Sequence, residues 1–493
     1  MPKKSENQTS SFPHTHDDLW GENPATFNLP KSQAESNSLN SDSTTHQNDN
    51  PKKRIAIIGG GWAGLAAAIE LCTQSYKVTL FESSPQLGGR ARSIKWNDLT
   101  LDNGQHLMIG AYQQMLKSLH IIGADTDTLF KHIHHRMLML DAQSGETKFD
   151  LQLPTYPAPL HLVFGVLNTP SLSFKQKILL LLRFNKLLNT KINNDYSVSD
   201  WLSQAKLPAS YTKNLLEPVC LAALTTHPQQ ASAKAFQNVL QQTFNAPASF
   251  TDLLIPTTDL SQVFPDLAEQ FILQHGGEIK TRCKVQALQT DNKNINSITA
   301  NDETIRFDQI ILATPANVSA KLLANIPACK KTAEQIKQLT YEPVSTLYLQ
   351  FKHCVSLPYP MLGIVNGTAE WVFERSLSGH DDVLAVVISA QGAHLQMPET
   401  ALVKTVYTEL SNTIENLPEL LNSKLIIEKR ASFQCHPHVD KYRPGIHTNL
   451  SNLKLCGDYV YIEQNNSPGL PSTLEGALRS GVECAQLIIS ANQ

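Results

Sequence analysis

The sequence predicts an α/β fold in which one parallel sheet is assembled from segments far apart in the chain. Three observations carry that prediction. The first is the apolar run Ile55–Ile58, followed at once by Gly59, Gly61 and Gly64, the helical pattern Leu65–Leu71, and a second strand that closes at Glu82. The second is a return to helix-then-strand at Leu260–Val285, where Gly276-Gly277 stops the helix, and then a buried strand in Phe307–Pro315. The third is Leu455–Asp458, a strand ending in Gly-Asp, with the helical segment Ser472–Ile488 behind it. Between these pieces, Tyr112–Phe250 reads as mostly helical and Leu395–Leu421 as helical. The blocks Thr346–Phe351, Trp371–Arg375 and Val383–Ser389 alternate like strands of a second sheet.

Bulk properties set the outer limits. A chain of 493 residues holds two domains or one large discontinuous one. A net charge of −3 gives no reason to expect nucleic acid as a partner. The eight cysteines are scattered without a C-x-x-C pair, as expected of reduced, buried thiols in a cytosolic protein and not of a disulfide or zinc framework. No metal site is predicted; His14, His16 and His46 are too sparse to form one. The longest clean apolar run is Ile178–Leu182, far short of a membrane span. Residues 1–51 are crowded with Ser, Asn, Thr, Asp and His, show no secretory signal, and are expected to be a disordered polar extension.

The chemistry begins at the first turn. Gly59, Gly61 and Gly64 form G-x-G-x-x-G, the spacing that lets a tight turn approach a pyrophosphate while helix and strand pack closely. The helix start adds free N–H groups and a positive dipole end. Glu82 stands where a carboxylate accepts hydrogen bonds from both ribose hydroxyls, and its charge disfavours the 2′-phosphate of NADP. A second glycine pair then follows in Leu87-Gly88-Gly89-Arg90-Ala91-Arg92. An NAD-dehydrogenase fold does not require it, whereas this segment closely resembles the FAD-containing amine oxidase and phytoene desaturase superfamily.

That resemblance implies FAD as cofactor and a Rossmann-like FAD-binding domain built from residues 52–111, 255–320 and 425–493. Residues 112–254 and 321–424 would form an inserted substrate-binding domain, helical with an antiparallel sheet. It places Gly88, Gly89 and Arg90 at the FAD pyrophosphate with Arg92 nearby, and the main chain of Val285 at the adenine. Ala313–Pro315 would lie near the cofactor, and Gly457-Asp458 at the ribityl or pyrophosphate region. The last helix would point its start at the flavin N1/C2=O edge, where a positive end favours an anionic reduced flavin.

Leu101-Asp102-Asn103-Gly104-Gln105-His106 resembles the substrate-side flavin segment of the desaturase branch, with Gly104 against the cofactor. Taken with GGGWAGLAAAIEL, LGGRAR, GDY and LPSTLEGALRSG, it is most similar to the squalene-associated FAD-dependent desaturases, the hydroxysqualene dehydroxylases. The likeness runs from about Arg54 to the C-terminus and includes Asn168–Pro170 and Glu217–Leu224 in the middle. Tyr459–Pro471 departs from it as a longer polar segment. The implied substrate is a C30 isoprenoid whose allylic hydroxyl leaves as water before hydride arrives from reduced FAD. No second nucleotide motif is present, so an external electron donor is expected.

His106 is the first candidate proton donor, on the expectation of a pKa near neutrality beside the flavin. A packing role hydrogen-bonded to backbone is the other reading. Glu475 is a second candidate, yet Ser472-x-x-Glu475 also reads as a capping box. Tyr112 is a weaker third. The apolar stretch Leu151–Leu188 suits a tunnel for the isoprenoid or an ordinary helical core. Lys175, Lys177, Arg183 and Lys186 among apolar residues suit either peripheral contact with the cytoplasmic membrane face or a normal surface helix. A carotenoid or other polyprenoid desaturase would use the same motifs oxidatively. A prenyl-binding carrier would use the fold without flavin chemistry, against which the intact glycines and acids speak. An amine oxidase is disfavoured because no clear aromatic pair stands near the last motif.

Overall fold

The computed structural model describes residues 53–244, 247–291, 293–462 and 469–491. The expected N-terminal extension, 1–51, lies outside the described residues, as does much of the departing segment after Tyr459. The strand Arg54–Ile58 is the middle of a five-stranded sheet, and its residues from Ile55 onward are buried on both faces. Burial on both faces is why it reads as a continuous apolar run with no alternation. Lys77–Phe81 and Gln309–Leu312 pair with it in parallel on either side, and Glu278–Lys280 and Leu453–Leu455 add the outer parallel strands. Three regions of sequence thus converge on one sheet, as the fold class required. The helix Trp62–Thr73 covers this sheet and packs against Leu474–Ser490 and Pro265–Gln274. At the first of these crossings a Cβ on Gly481 would lie 2.1 Å from the Ala63 carbonyl oxygen, so only glycine allows the approach.

A second sheet of seven strands carries the insertion. In spatial order it runs Leu420–Phe433, Tyr341–Phe351, Val383–Ser389, Trp371–Glu374, Met361–Val365, Arg136–Asp141, Thr147–Gln152. It is antiparallel except between Met361–Val365 and Arg136–Asp141, which pair in parallel.

One expectation holds and two are corrected. Among the described residues 112–250 is mostly helical, as expected, but Phe130–Ile133, Arg136–Asp141 and Thr147–Gln152 within it are strands. The run Met137–Leu140 is buried throughout, and a short apolar run of that kind has no period that separates strand from helix. Within Leu395–Leu421 the helix covers only Glu399–Thr413, and Leu420 already begins the long edge strand. The expected border at residue 425 therefore falls inside that strand. The border after residue 254 falls inside Leu253–Pro256, which pairs with both Met108–Ile109 and Phe130–Ile133. Both borders thus cut through strands, and the described residues form one compact unit.

Candidate active site

The first turn shows what its glycines do. Gly59 has φ +112°, and a Cβ there would stand 2.5 Å from the Ala313 carbonyl oxygen; at Gly64 it would stand 2.0 Å from that of Gly59. The turn is pressed between helix and neighbouring strand, with no room for a side chain. Gly61 differs. A Cβ there meets nothing closer than Gly89 Cα at 4.0 Å, so the space before it is open. Gly61 is also the N-cap of Trp62–Thr73, without a side-chain cap and without an acid in the first turn. The leading N–H groups of that helix are thus left for an anionic group.

The second glycine pair closes on this turn. Gly88 N donates to Gly60 O at 2.8 Å, and Gly88 and Gly89 take φ +95° and +61°. Glu82 is buried at the end of its strand and accepts from Gly60 N at 2.8 Å and Ser84 N at 2.7 Å. Cys283 N donates to Glu82 O and Arg282 N to Ser84 O, which brings the start of Val285–Thr290 to the same end of the sheet. Arg92 gives one N–H to Ser84 Oγ at 2.9 Å, while its buried Nε has no protein partner. An orphaned guanidinium donor near an open glycine cradle fits a pyrophosphate-bearing cofactor.

Asp458 and Arg90 join the distant segments. Their Oδ1 and Nη2 lie 2.6 Å apart, and Arg90 also donates to Ala431 O at 2.7 Å. Ser472 donates to the other oxygen of Asp458. Burial opposes ionisation of Asp458, but the charges of Arg90 and Arg443 and the Ser472 hydroxyl outweigh it, and the carboxyl is held below its usual range. The buried Arg443 fixes the bend itself through the carbonyls of Asp458, Tyr459 and Val460. Gly457, at φ +140°, donates its N–H to Ser480 Oγ at 2.8 Å.

The segment Asp102–His106 is pinned from the second sheet. Asp102 and Arg375, at 2% and 3% side-chain exposure, form an ion pair at 2.9 Å. Arg375 Nη1 reaches Gln105 Oε1 at 2.9 Å, Tyr348 OH donates to Asp102 O at 3.0 Å, and Gln105 N donates to Thr346 Oγ1 at 3.4 Å. A Cβ on Gly104 would lie 3.6 Å from Thr346 Oγ1, an ordinary contact, so the protein alone does not demand glycine there.

His106 is corrected in its chemistry. Burial, and then the charge of Arg90, push its pKa down to about 4, so the imidazole is neutral at pH 7. The position that made it attractive also dehydrates it and sets it near a cation.

Glu475 is corrected in its geometry. Thr473, not Ser472, is the N-cap, accepting from Gly476 N at 3.0 Å. Glu475 caps a different helix, Gln113–Ile121, accepting from Gln114 N at 2.9 Å and Met115 N at 3.1 Å. Arg479 Nε adds a third bond at 2.7 Å. With both oxygens occupied, Glu475 clamps the first helix of the insertion to the last helix of the chain. Tyr112 precedes that capped helix, and burial together with Glu475 keeps its phenol protonated far above neutrality.

Sequence reading missed the site roles of Arg375, Arg443, Ser472 and Thr346. Arg375 had a faint signal, a lone cation ending the apolar strand block Trp371–Glu374. The other three had none.

A parallel sheet, a glycine turn backed by a second glycine pair, and an acid–arginine pair at the last strand define a flavin dinucleotide-binding oxidoreductase. The sequence profile of the flavin containing amine oxidoreductases matches residues 62–489, and the chain belongs to that family. It is an FAD-dependent oxidoreductase. Among curated relatives it is 27% identical to the hydroxysqualene dehydroxylase of Sinorhizobium fredii, over 89% of this chain and 99% of the relative. It is 23% identical to the chloroplastic/chromoplastic zeta-carotene desaturase of Arabidopsis thaliana, over 90% of this chain and 86% of that protein. Among solved structures, cyclohexylamine oxidase from Brevibacterium oxydans shares the fold with a TM-score of 0.64 at 13% identity, covering 90% of this chain and 100% of that one. The expected likeness to the hydroxysqualene dehydroxylases is thereby borne out.

Proposed function

We propose that this flavoprotein is a hydroxysqualene dehydroxylase, converting hydroxysqualene to squalene with loss of water. The observation that carries the reading is the end-to-end match to a dehydroxylase, covering 99% of that relative at 27% identity against 23% for the desaturase. In the net reaction the allylic C–O bond breaks, a proton leaves with the hydroxyl as water, and hydride forms the new C–H bond. Bound FAD in its reduced form supplies that hydride, and an external donor restores it.

The chain's own residues do the rest. Gly61 and the helix start behind it, Arg90, Arg92 and Asp458 would hold the dinucleotide, with Glu82 on the ribose and Val285 at the adenine. Asp102, Arg375 and Gln105 keep the segment through His106 in place. His106, neutral at working pH, would hold the substrate hydroxyl by a hydrogen bond. Strand pairing sets Thr346 opposite Val387 and Val387 opposite Trp371, and residues paired across a sheet share a face. Trp371 thus stands in the row that begins at the Gln105 contact, where an electron-rich indole suits an allyl cation.

The test is product analysis in both directions. Dithionite-reduced protein given hydroxysqualene is expected to yield squalene, and oxidised protein given zeta-carotene is expected to leave it unchanged. A new double bond in the carotene, with hydroxysqualene untouched, would favour the oxidative desaturase.

A further inference from the structure

We propose that the helices Leu160–Asn168 and Phe174–Asn189 form a docking face for an anionic lipid bilayer. Six of the nine exposed large apolar side chains among the described residues fall within residues 156–182. They are ordered. Leu160 and Phe164 are four apart on one helix, and Phe174, Ile178 and Leu182 are spaced by four on the next, so each set lies on one helix face. Phe174 and Leu182 are 72% and 68% exposed, values that ordinary packing does not produce in a cluster. The opposite face of the second helix is conventional: Leu180, Phe184, Leu187 and Leu188 are buried.

Charge selects the occupant. From Leu151 to Asn194 the sequence has no Asp or Glu but carries Lys175, Lys177, Arg183, Lys186 and Lys191. Lys177 and Arg183 brace the helices against the Leu167 and Lys206 carbonyls, while Lys175, Lys186 and Lys191 are exposed. Apolar side chains rimmed by cations without a single acid match the boundary between acyl chains and anionic headgroups. No helix among the described residues is long and apolar enough to cross a membrane, so the contact is peripheral. Its place in the fold suits delivery. The first helix packs on Thr147–Gln152, the outermost strand of the seven-stranded sheet, and the second packs on the first. The face thus belongs to the insertion assigned to the substrate. That it serves substrate uptake rests on the proposed reaction; that it binds lipid does not.

The test uses the full FAD-loaded chain, without substrate, sedimented with vesicles of phosphatidylcholine alone or mixed with phosphatidylglycerol. The protein should follow the mixed vesicles, less so as salt is raised. The double variant Phe174→Ser, Leu182→Glu should lose about tenfold or more in partitioning while keeping its flavin absorbance and Tm. Lys175→Glu with Lys186→Glu should remove the preference for the anionic vesicles. Failure of the wild type to follow either vesicle, or equal binding by the apolar-face variant, would overturn the proposal. So would a wild-type dimer in sedimentation velocity that the variant dissociates without any vesicle binding, since the occupant would then be a second copy. Squalene formation from detergent-dispersed hydroxysqualene, measured alongside, separates failure of docking from failure of the proposed reaction.

Discussion

Asp458 illustrates how much of this site depends on single buried contacts. It ionises against its own burial only because Arg90, Ser472 and Arg443 surround it. Its depressed pKa contributes stability that is present above the ordinary carboxylate range and is lost as pH falls through the lower folded value. Asp458→Asn leaves Arg90 without its counter-charge, and we expect a loss of about 3 kcal/mol in urea denaturation with weakened flavin retention. A variant with wild-type midpoint and flavin content would contradict that account of the pair. His106 works in the opposite sense. Its folded pKa, near 4, lies below the ordinary 6.5, so the unfolded chain binds the extra proton between those values and wild-type stability falls as pH drops through that window. His106→Gln should flatten this slope, worth up to about 3 kcal/mol, and calorimetric Tm against pH would show it. The same low pKa predicts that activity shows no inflexion near 6.5 arising from His106.

At the scale of elements, the first turn separates folding from cofactor binding. Gly59→Ala sets a Cβ against rigid backbone at a left-handed φ, and should fail to accumulate as folded protein. Gly61→Ala places its methyl in open space at φ −75°, so the chain should fold with near wild-type circular dichroism yet purify without yellow colour. A yellow Gly61→Ala protein would remove the cradle from the account. Glu475→Ala should release the clamp between the first insertion helix and the last helix, costing about 2–3 kcal/mol by taking the acceptor from the Gln114 and Met115 N–H groups and the carboxylate from Arg479. Glu475→Gln, which keeps the acceptor oxygen, should recover part of that loss, whereas a catalytic acid would lose turnover in both variants. The legible parts of the sequence were local ones: glycine turns, the strand before them, and the acid after them lie within a few tens of residues. The rest depends on partners distant in sequence. Gln105 finds Arg375 across 270 residues, and Arg136–Asp141, besides its local pairing with Thr147–Gln152, lies against the distant Met361–Val365. Glu475 matched a local capping pattern, yet tertiary packing gave its oxygens to a helix that begins at Gln113.

Across the whole molecule, both expected domain borders cut through strands and Glu475 ties the last helix to the first insertion helix, so the two regions are stabilised together. One cooperative transition is expected when far-ultraviolet circular dichroism and flavin fluorescence are followed together during denaturation. Two separated transitions would mean that the insertion folds as an independent domain. The direction of the chemistry is open to an anaerobic single turnover. Purified protein reduced with dithionite is mixed with hydroxysqualene while flavin absorbance is followed and squalene is quantified by mass spectrometry. Reoxidation of the flavin with a matching amount of squalene is expected. Flavin that stays reduced, with no squalene formed, would contradict the proposed reaction.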